Sequence, residues 1–190
     1  MLDCDLSDAL FVGELALDGS LRHTNGILPL AIFAAKQGYT KLFCPAVNAK
    51  EAALIENIDI YPVSTFERMI AHITDVKKIT PLEKQNISEW LASNNNYEMD
   101  MAYVKGQQFV KRALEIAASG AHNILLSGPP GSGKTLLART MPSILPRMSI
   151  DEAIEVTKIF SVAGLLPTDK PLVAERPFRA PHHSASGVAL

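Results

Sequence analysis

The spacing of apolar residues changes along the chain, and each change marks an element. Leu10-Phe-Val-Gly-Glu-Leu-Ala-Leu17 and Leu21-Arg-His23 flank Asp18-Gly19-Ser20, which predicts a hairpin because Asp-Gly favours a tight strand reversal. From Ile27 to Gln37 the apolar residues recur at helical spacing, and Gly38 suits the end of that helix. Lys41-Leu-Phe-Cys-Pro45 and Asp59-Ile-Tyr-Pro-Val63 read as short strands. Asn48-Ala-Lys-Glu51 resembles a capping box opening a helix to Asn57, and Ser64-Thr-Phe-Glu67 caps another to about Ile73. The alternation β, α, β, α, β, α predicts an α/β layout for residues 1–73.

A polar stretch, 74–100, follows with Lys77-Lys78, Pro81 and Asn94-Asn-Asn96, and reads as a linker. Its middle, Leu82 to Leu91, suits a short helix with Trp90 as a packing anchor. The second block, 101–190, starts with a helix from Val104 to Ser119, whose inner side would carry Phe109, Val110, Ala113, Leu114, Ile116 and Ala117, closed by Gly120. Asn123-Ile-Leu-Leu-Ser127 reads as a strand and Leu136-Leu-Ala-Arg-Thr140 as a helix. Pro142 and Pro146 break the chain before Ser149-Ile-Asp-Glu152, which opens a helix to about Ala163 with Gly164 behind it. Pro167, Pro171, Pro177 and Pro181 predict loop-rich structure from Leu165 onward.

Between the expected strand and helix lies Gly128-Pro129-Pro130-Gly131-Ser132-Gly133-Lys134-Thr135, a complete phosphate-binding P-loop in the strand, loop, helix context the motif needs. The glycines let successive N–H groups turn inward on a phosphate, and the following helix adds its positive end. Lys134 is expected to reach the β- and γ-phosphates and Thr135 to ligate Mg²⁺, so ATP with Mg²⁺ is the expected ligand. Hydrolysis also needs an apolar strand ending in an acidic residue. Met148-Ser-Ile-Asp151 reads better as a helix start, and Leu172-Val-Ala-Glu175 is short and hemmed by prolines. On this reading the chain is an internal fragment ending before its Mg²⁺ carboxylate, inactive by itself in hydrolysis.

A composition of 47% hydrophobic and 20% charged residues predicts packed globular structure. Net charge −2 gives no basic signature, so any nucleic-acid contact must come from local patches or from an assembled ring. The adjacent basic pairs Lys77-Lys78 and Lys111-Arg112 lack interleaved aromatics and read as solvated faces. Cys4 and Cys44 lack C-x-x-C spacing, which points to free thiols in a reducing compartment, a single bridge being the alternative. Asp3, Asp5 and Asp8 replace a basic leader, and no apolar stretch approaches a membrane span; a cytoplasmic location is expected.

Val104-Lys-Gly-Gln107, Lys111-Arg-Ala-Leu-Glu-Ile-Ala-Ala118, His122-Asn-Ile-Leu-Leu126, the P-loop and Arg176-Pro-Phe-Arg-Ala-Pro-His-His183 together resemble the magnesium-chelatase-like AAA+ ATPases. Gly13-Glu-Leu-Ala-Leu-Asp-Gly-Ser-Leu-Arg22, Gly26-Ile-Leu-Pro-Leu30 and Pro45-Ala-Val-Asn48 resemble the Lon-protease-like domain preceding the ATPase in the ComM/YifB branch. The resemblance spans nearly all of the chain outside the linker. It implies a partial, non-catalytic Lon-like α/β domain at 1–73 and the start of a P-loop AAA+ ATPase at 101–190, in a parent that forms a homo-oligomeric, hexameric ring. It further implies an ATP-driven DNA branch-migration motor of natural transformation.

Active Lon-type proteases carry a catalytic lysine where this chain has Leu28, which removes the general base. Ser20 and Ser64 then read as a turn residue and a helix cap. The alternatives are the ATPase subunit of a magnesium chelatase-type complex, which lacks the Lon-like block, and a non-hydrolysing nucleotide-binding fragment. His182-His183 lacks Cys, Asp or Glu partners at ligand spacing and reads as a loop pair rather than a metal site. Arg176 and Arg179 read equally as phosphate contacts and as solvated side chains.

Overall fold

The computed structural model describes residues 6–93, 97 and 99–181. The chain divides into two compact units, one formed by Met1–Ser93 with Ile150–Val173 and one by Asn94–Ser149 with Ala174–Leu190.

In the first unit, strand β1 (Ala9–Phe11), the two-residue strands β2 (Glu14–Leu15) and β3 (Leu21–Arg22), helix α1 (Ile27–Lys36), strand β4 (Lys41–Pro45), the short helix α2 (Ala49–Ala52), strand β5 (Asp59–Val63) and helix α3 (Phe66–Ile73) follow one another. Strands β1, β4 and β5 make a parallel sheet in the order β1-β4-β5, with Phe11 opposite Phe43 and Phe43 opposite Tyr61. The period-two alternation of a strand decides what each face buries. Leu42, Cys44 and Ile60 pack against Ile27, Ala31 and Ala34 of α1 and Ala49 and Ala52 of α2. On the opposite face Ala9, Phe43 and Val63 pack with Met69 of α3 and with Ile79. The rings of Phe11, Phe43 and Tyr61 stack across the three strands with centroids 4.7 Å apart at each step. The result is the mixed α/β class expected from the sequence.

Several local expectations are corrected. The predicted long hairpin shrinks to Glu14-Leu15 paired with Leu21-Arg22, because Ala9–Phe11 joins the parallel sheet and the Val12 N–H donates to the Phe43 carbonyl at 2.9 Å. Leu10 and Val12 gain a buried face that a free hairpin would not offer them. Asn48 does not cap α2; its amide exchanges hydrogen bonds with the Thr24 backbone, and the helix stops at Ala52. Thr65, not Ser64, caps α3 by accepting from the Arg68 N–H at 3.2 Å.

Within the stretch expected as a linker, Ile79 and Leu82 pack onto the two cores of the first unit. Helix α4 (Ile87–Ser93) follows, and the Trp90 indole N–H reaches the Gln85 side-chain oxygen at 3.5 Å. In the second unit, helix α5 (Gln108–Ser119) starts four residues later than predicted, since Gly106 and Gln107 take φ values of 70° and 55°. Leu114, Ala117 and Ala118 form its buried stripe, whereas Phe109 and Ile116 are 88% and 53% exposed. At 100° per residue those two lie on the opposite side from Leu114, which corrects their expected inward placement. Helix α6 (Lys134–Thr140) follows the glycine-rich loop. Helix α7 (Ile150–Val162) matches its predicted span and belongs to the first unit, where its buried residues Ala153, Thr157 and Ser161 lie on the side packed against α1.

Cys44 is a buried free thiol, as expected, while Cys4 lies outside the described residues.

Candidate functional site

The stretch 123–127 is extended with Ile124 and Leu126 turned toward Met101, Leu114 and Leu137. It is not a strand in the hydrogen-bonded sense: among the described residues it pairs with no other strand, and Leu125 between the two packed side chains is 91% exposed. Its in-out alternation is nevertheless that of a strand. It delivers the chain to Gly128, from which the loop runs through Pro129, Pro130, Gly131 and Ser132 to Gly133, the residue before α6.

Gly133 has φ +81° and Gly131 +79°, both in the left-handed region that a side chain disfavours. These turns bring the Lys134 ammonium back over its own loop. It donates to the carbonyls of Gly128 and Pro129, both at 2.8 Å, and to the Ser132 hydroxyl at 3.2 Å. Lys134 makes no ion pair among the described residues, so its charge is held by neutral oxygens alone. The first backbone bond of the helix runs from the Leu137 N–H to the Gly133 carbonyl. The N–H groups of Lys134, Thr135 and Leu136 therefore have no acceptor further back in the helix, the usual state of a helix start.

Beside the loop lies a cavity of about 640 Å³ whose lining includes Lys134, Thr135, Leu114, Ile124, Phe178 and Arg179. Its size falls within the range of small-molecule sites. All eight expected loop residues, Gly128 through Thr135, thus form one continuous feature, with Lys134 and Thr135 at the cavity. Of the two arginines left open by the sequence, Arg179 lines that cavity, while the Arg176 Nε donates to the Pro146 carbonyl at 2.8 Å. The sequence offered no signal by which to separate them.

The donor set fits a phosphate: an uncompensated ammonium, orphan N–H groups and no carboxylate partner on Lys134. For Mg²⁺ the chain offers the exposed Thr135 hydroxyl, and among the described residues no group of three His, Cys, Asp or Glu side chains could hold a metal. Asp151 sits in the first turn of α7, as its sequence context implied. The His182-His183 pair lies outside the described residues.

The remaining candidates have ordinary structural roles. The Ser20 hydroxyl donates to Asp18 at 2.6 Å inside the turn, and Leu28 is wholly buried. Lys78 pairs with Asp75 at 2.8 Å and Arg112 with Glu115 at 3.0 Å on exposed surface.

An α/β chain with a glycine-rich loop carrying Lys and Thr into a helix has the features expected of a magnesium-chelatase-type protein, and comparison with known families agrees. The family model described as magnesium chelatase, subunit ChlI, matches residues 100–190, and that of subunit ChlI of Mg-chelatase matches residues 2–48. The chain is 40% identical over 183 residues to competence protein ComM of Haemophilus influenzae, covering 95% of this chain and 35% of that protein. It is 37% identical over 185 residues to YifB of Escherichia coli, covering 97% and 35%. An uncharacterized protein of Mycobacterium tuberculosis is 41% identical over 189 residues, covering 97% and 36%. The chain belongs to the magnesium-chelatase family, in the branch of ComM and YifB. It spans about a third of the length of these relatives. Among the described residues no helix is long and apolar enough to cross a membrane.

Proposed function

We propose that this chain binds ATP with Mg²⁺ at Gly128–Thr135, as the nucleotide-binding part of an AAA+ ATPase. The observation that carries the reading is the Lys134 ammonium, held by two carbonyls and a hydroxyl over its own loop without a counter-charge. A polyphosphate offers that ammonium and the adjoining N–H groups a stronger, charge-assisted set of acceptors. Thr135 would supply one oxygen to Mg²⁺, the phosphates and water supplying others. When bound, the metal neutralises charge on the phosphoryl groups.

For a protein of the relatives' length the proposed role is a ring-forming, hexameric DNA branch-migration motor in the cytoplasm, with a non-catalytic Lon-like block at 1–73, a linker at 74–100 and the ATPase portion from 101. The likeness to ComM along both blocks favours it. The description of the matching family models favours a second reading, the ATPase partner of a chelatase-type complex. ATP turnover of the full-length protein, measured with and without branched DNA, separates them: stimulation supports the motor, and unchanged turnover shifts weight to the chelatase reading.

Nucleotide binding itself is tested on this chain by calorimetric titration with Mg·ATP. Lys134→Ala is expected to weaken binding by at least tenfold, since hydrogen bonds to a charged group contribute about 1.5–3 kcal/mol each. Equal heats from both proteins would overturn the assignment.

A further inference from the structure

Among the described residues Glu51 is a buried charged side chain that the nucleotide site does not use. Its Oε1 accepts from the Leu28 N–H at 2.9 Å in the first turn of α1, and also from the Ser161 hydroxyl on α7. Its Oε2 accepts from the Asn48 amide at 3.4 Å. The two helices meet again where the Gly26 N–H donates to the Ser161 carbonyl at 3.1 Å. Just beyond α7, Gly164 sits at φ +67°, and a Cβ there would lie 2.7 Å from the Asn25 side-chain nitrogen. The Thr157 hydroxyl donates to the Ala153 carbonyl and accepts from the Val173 N–H at 3.0 Å, tying the returning chain to the same helix.

Glu51, Thr157 and Ser161 are each less than a tenth exposed, so these bonds form away from water, where a missing partner is costly. Hydrophobic packing alone would let α7 slide along α1; the carboxylate, the Gly26 bond and the tight Gly164 approach fix one register.

The chain's path gives this contact a consequence. Residues 150–173 belong to the first unit, while the chain on both sides of them belongs to the second. The two legs of that excursion are clipped to each other by the Arg176–Pro146 bond. They also line the cavity beside Lys134 and Thr135, one through Leu145 and the other through Pro177, Phe178 and Arg179.

We propose that Asn25–Leu28 with Asn48 and Glu51 is a docking socket whose partner is the chain's own helix α7, and that nucleotide in the loop alters how firmly the socket holds it. The second half rests on the nucleotide-binding reading above. A ligand filling the cavity meets residues on both legs, so that any shift it causes there would reach α7 along the chain itself, where Glu51 holds the helix.

Hydrogen exchange on the whole chain tests it. Ser161→Ala and Glu51→Gln are expected to speed exchange at the Gly26 and Leu28 amides and along α7 by about tenfold, with β4 unchanged. Ser161→Ala, the gentler change, decides the matter if Glu51→Gln fails to fold; unchanged exchange in Ser161→Ala overturns the socket. Adding AMP-PNP with Mg²⁺ to the wild type is expected to change exchange in α7, and Ser161→Ala to diminish that response. Calorimetric binding with α7 exchange unaltered would overturn the coupling and leave the nucleotide site standing. Absence of binding would remove the site and the coupling together, the socket still being decided by the variants.

Discussion

At the scale of single residues, two side chains report on the sheet of the first unit. The His72 Nδ1 accepts from the Ile79 N–H at 2.8 Å, and its ring lies edge-on to Phe43, so the fold uses the unprotonated nitrogen. Burial, with the nearby Lys78 charge next, holds its pKa below the ordinary 6.5, partly opposed by Asp75. The unfolded chain then binds the proton more readily, and stability is lost as pH falls from about 6.5 through the folded value. A thermal melt series from pH 8 to 5 should show this step, and His72→Gln, which cannot gain a proton, should flatten it. The exposed carboxyls of Asp8, Asp18 and Asp75 are held below 3.8 chiefly by hydrogen bonds from Thr40, Ser20 and Lys78, so their losses fall at lower pH. Cys44 behaves oppositely to a reactive thiol: burial, then the Glu51 charge, pushes it up to about 12. In a Cys4→Ser background, iodoacetamide at pH 8 should modify the folded chain at least about a thousandfold more slowly than the urea-unfolded one. Similar rates would mean that β4 opens readily.

At the scale of elements, legibility in the sequence tracked locality. Helices α1 and α7 were readable because each carries its apolar period within the segment and meets a glycine stop, Gly38 or Gly164, just beyond it. The pairing of β1 was not, because Asp18-Gly19 is a local signal whereas its parallel neighbour β4 lies some thirty residues away, beyond a helix. Helix α5 misled in another way: apolar Phe109 and Ile116 sit on its exposed side, and composition cannot say which face a helix buries. The turns of the loop were legible, since Gly131 and Gly133 take positive φ values that other residues adopt only at a cost. Gly133→Ala puts a Cβ at φ +81° just before α6. It should cost about 1–2 kcal/mol in urea unfolding and weaken Mg·ATP binding as well. A variant of wild-type stability and affinity would show that the loop turns without that strain. What the sequence concealed was the partnership of Glu51 with Ser161, 110 residues apart, because nothing local marks a buried carboxylate that far from its donor.

At the scale of the whole molecule, electrostatics decides what this chain can do with DNA by itself. Its net charge is −2, and among the described residues five of its eighteen Lys and Arg side chains are answered in this way: Arg22 by Glu14, Lys41 by Asp8, Lys78 by Asp75, Arg112 by Glu115 and Lys158 by Glu155. Such exposed pairs add little to stability, but they cancel the field that would gather phosphates. Non-specific DNA affinity comes almost entirely from cations replacing condensed counterions, each engaged phosphate steepening the salt dependence. The chain alone is therefore expected to bind fluorescent branched DNA more weakly than about 10 μM at 0.15 M salt, with a shallow dependence on salt. The motor reading agrees with that weakness if DNA is gripped by many subunits at once, where modest contacts multiply through effective concentration. Tight, steeply salt-dependent binding by this chain would instead locate a DNA contact within it, and Arg139, Arg147 and Lys105 would be the first cations to replace.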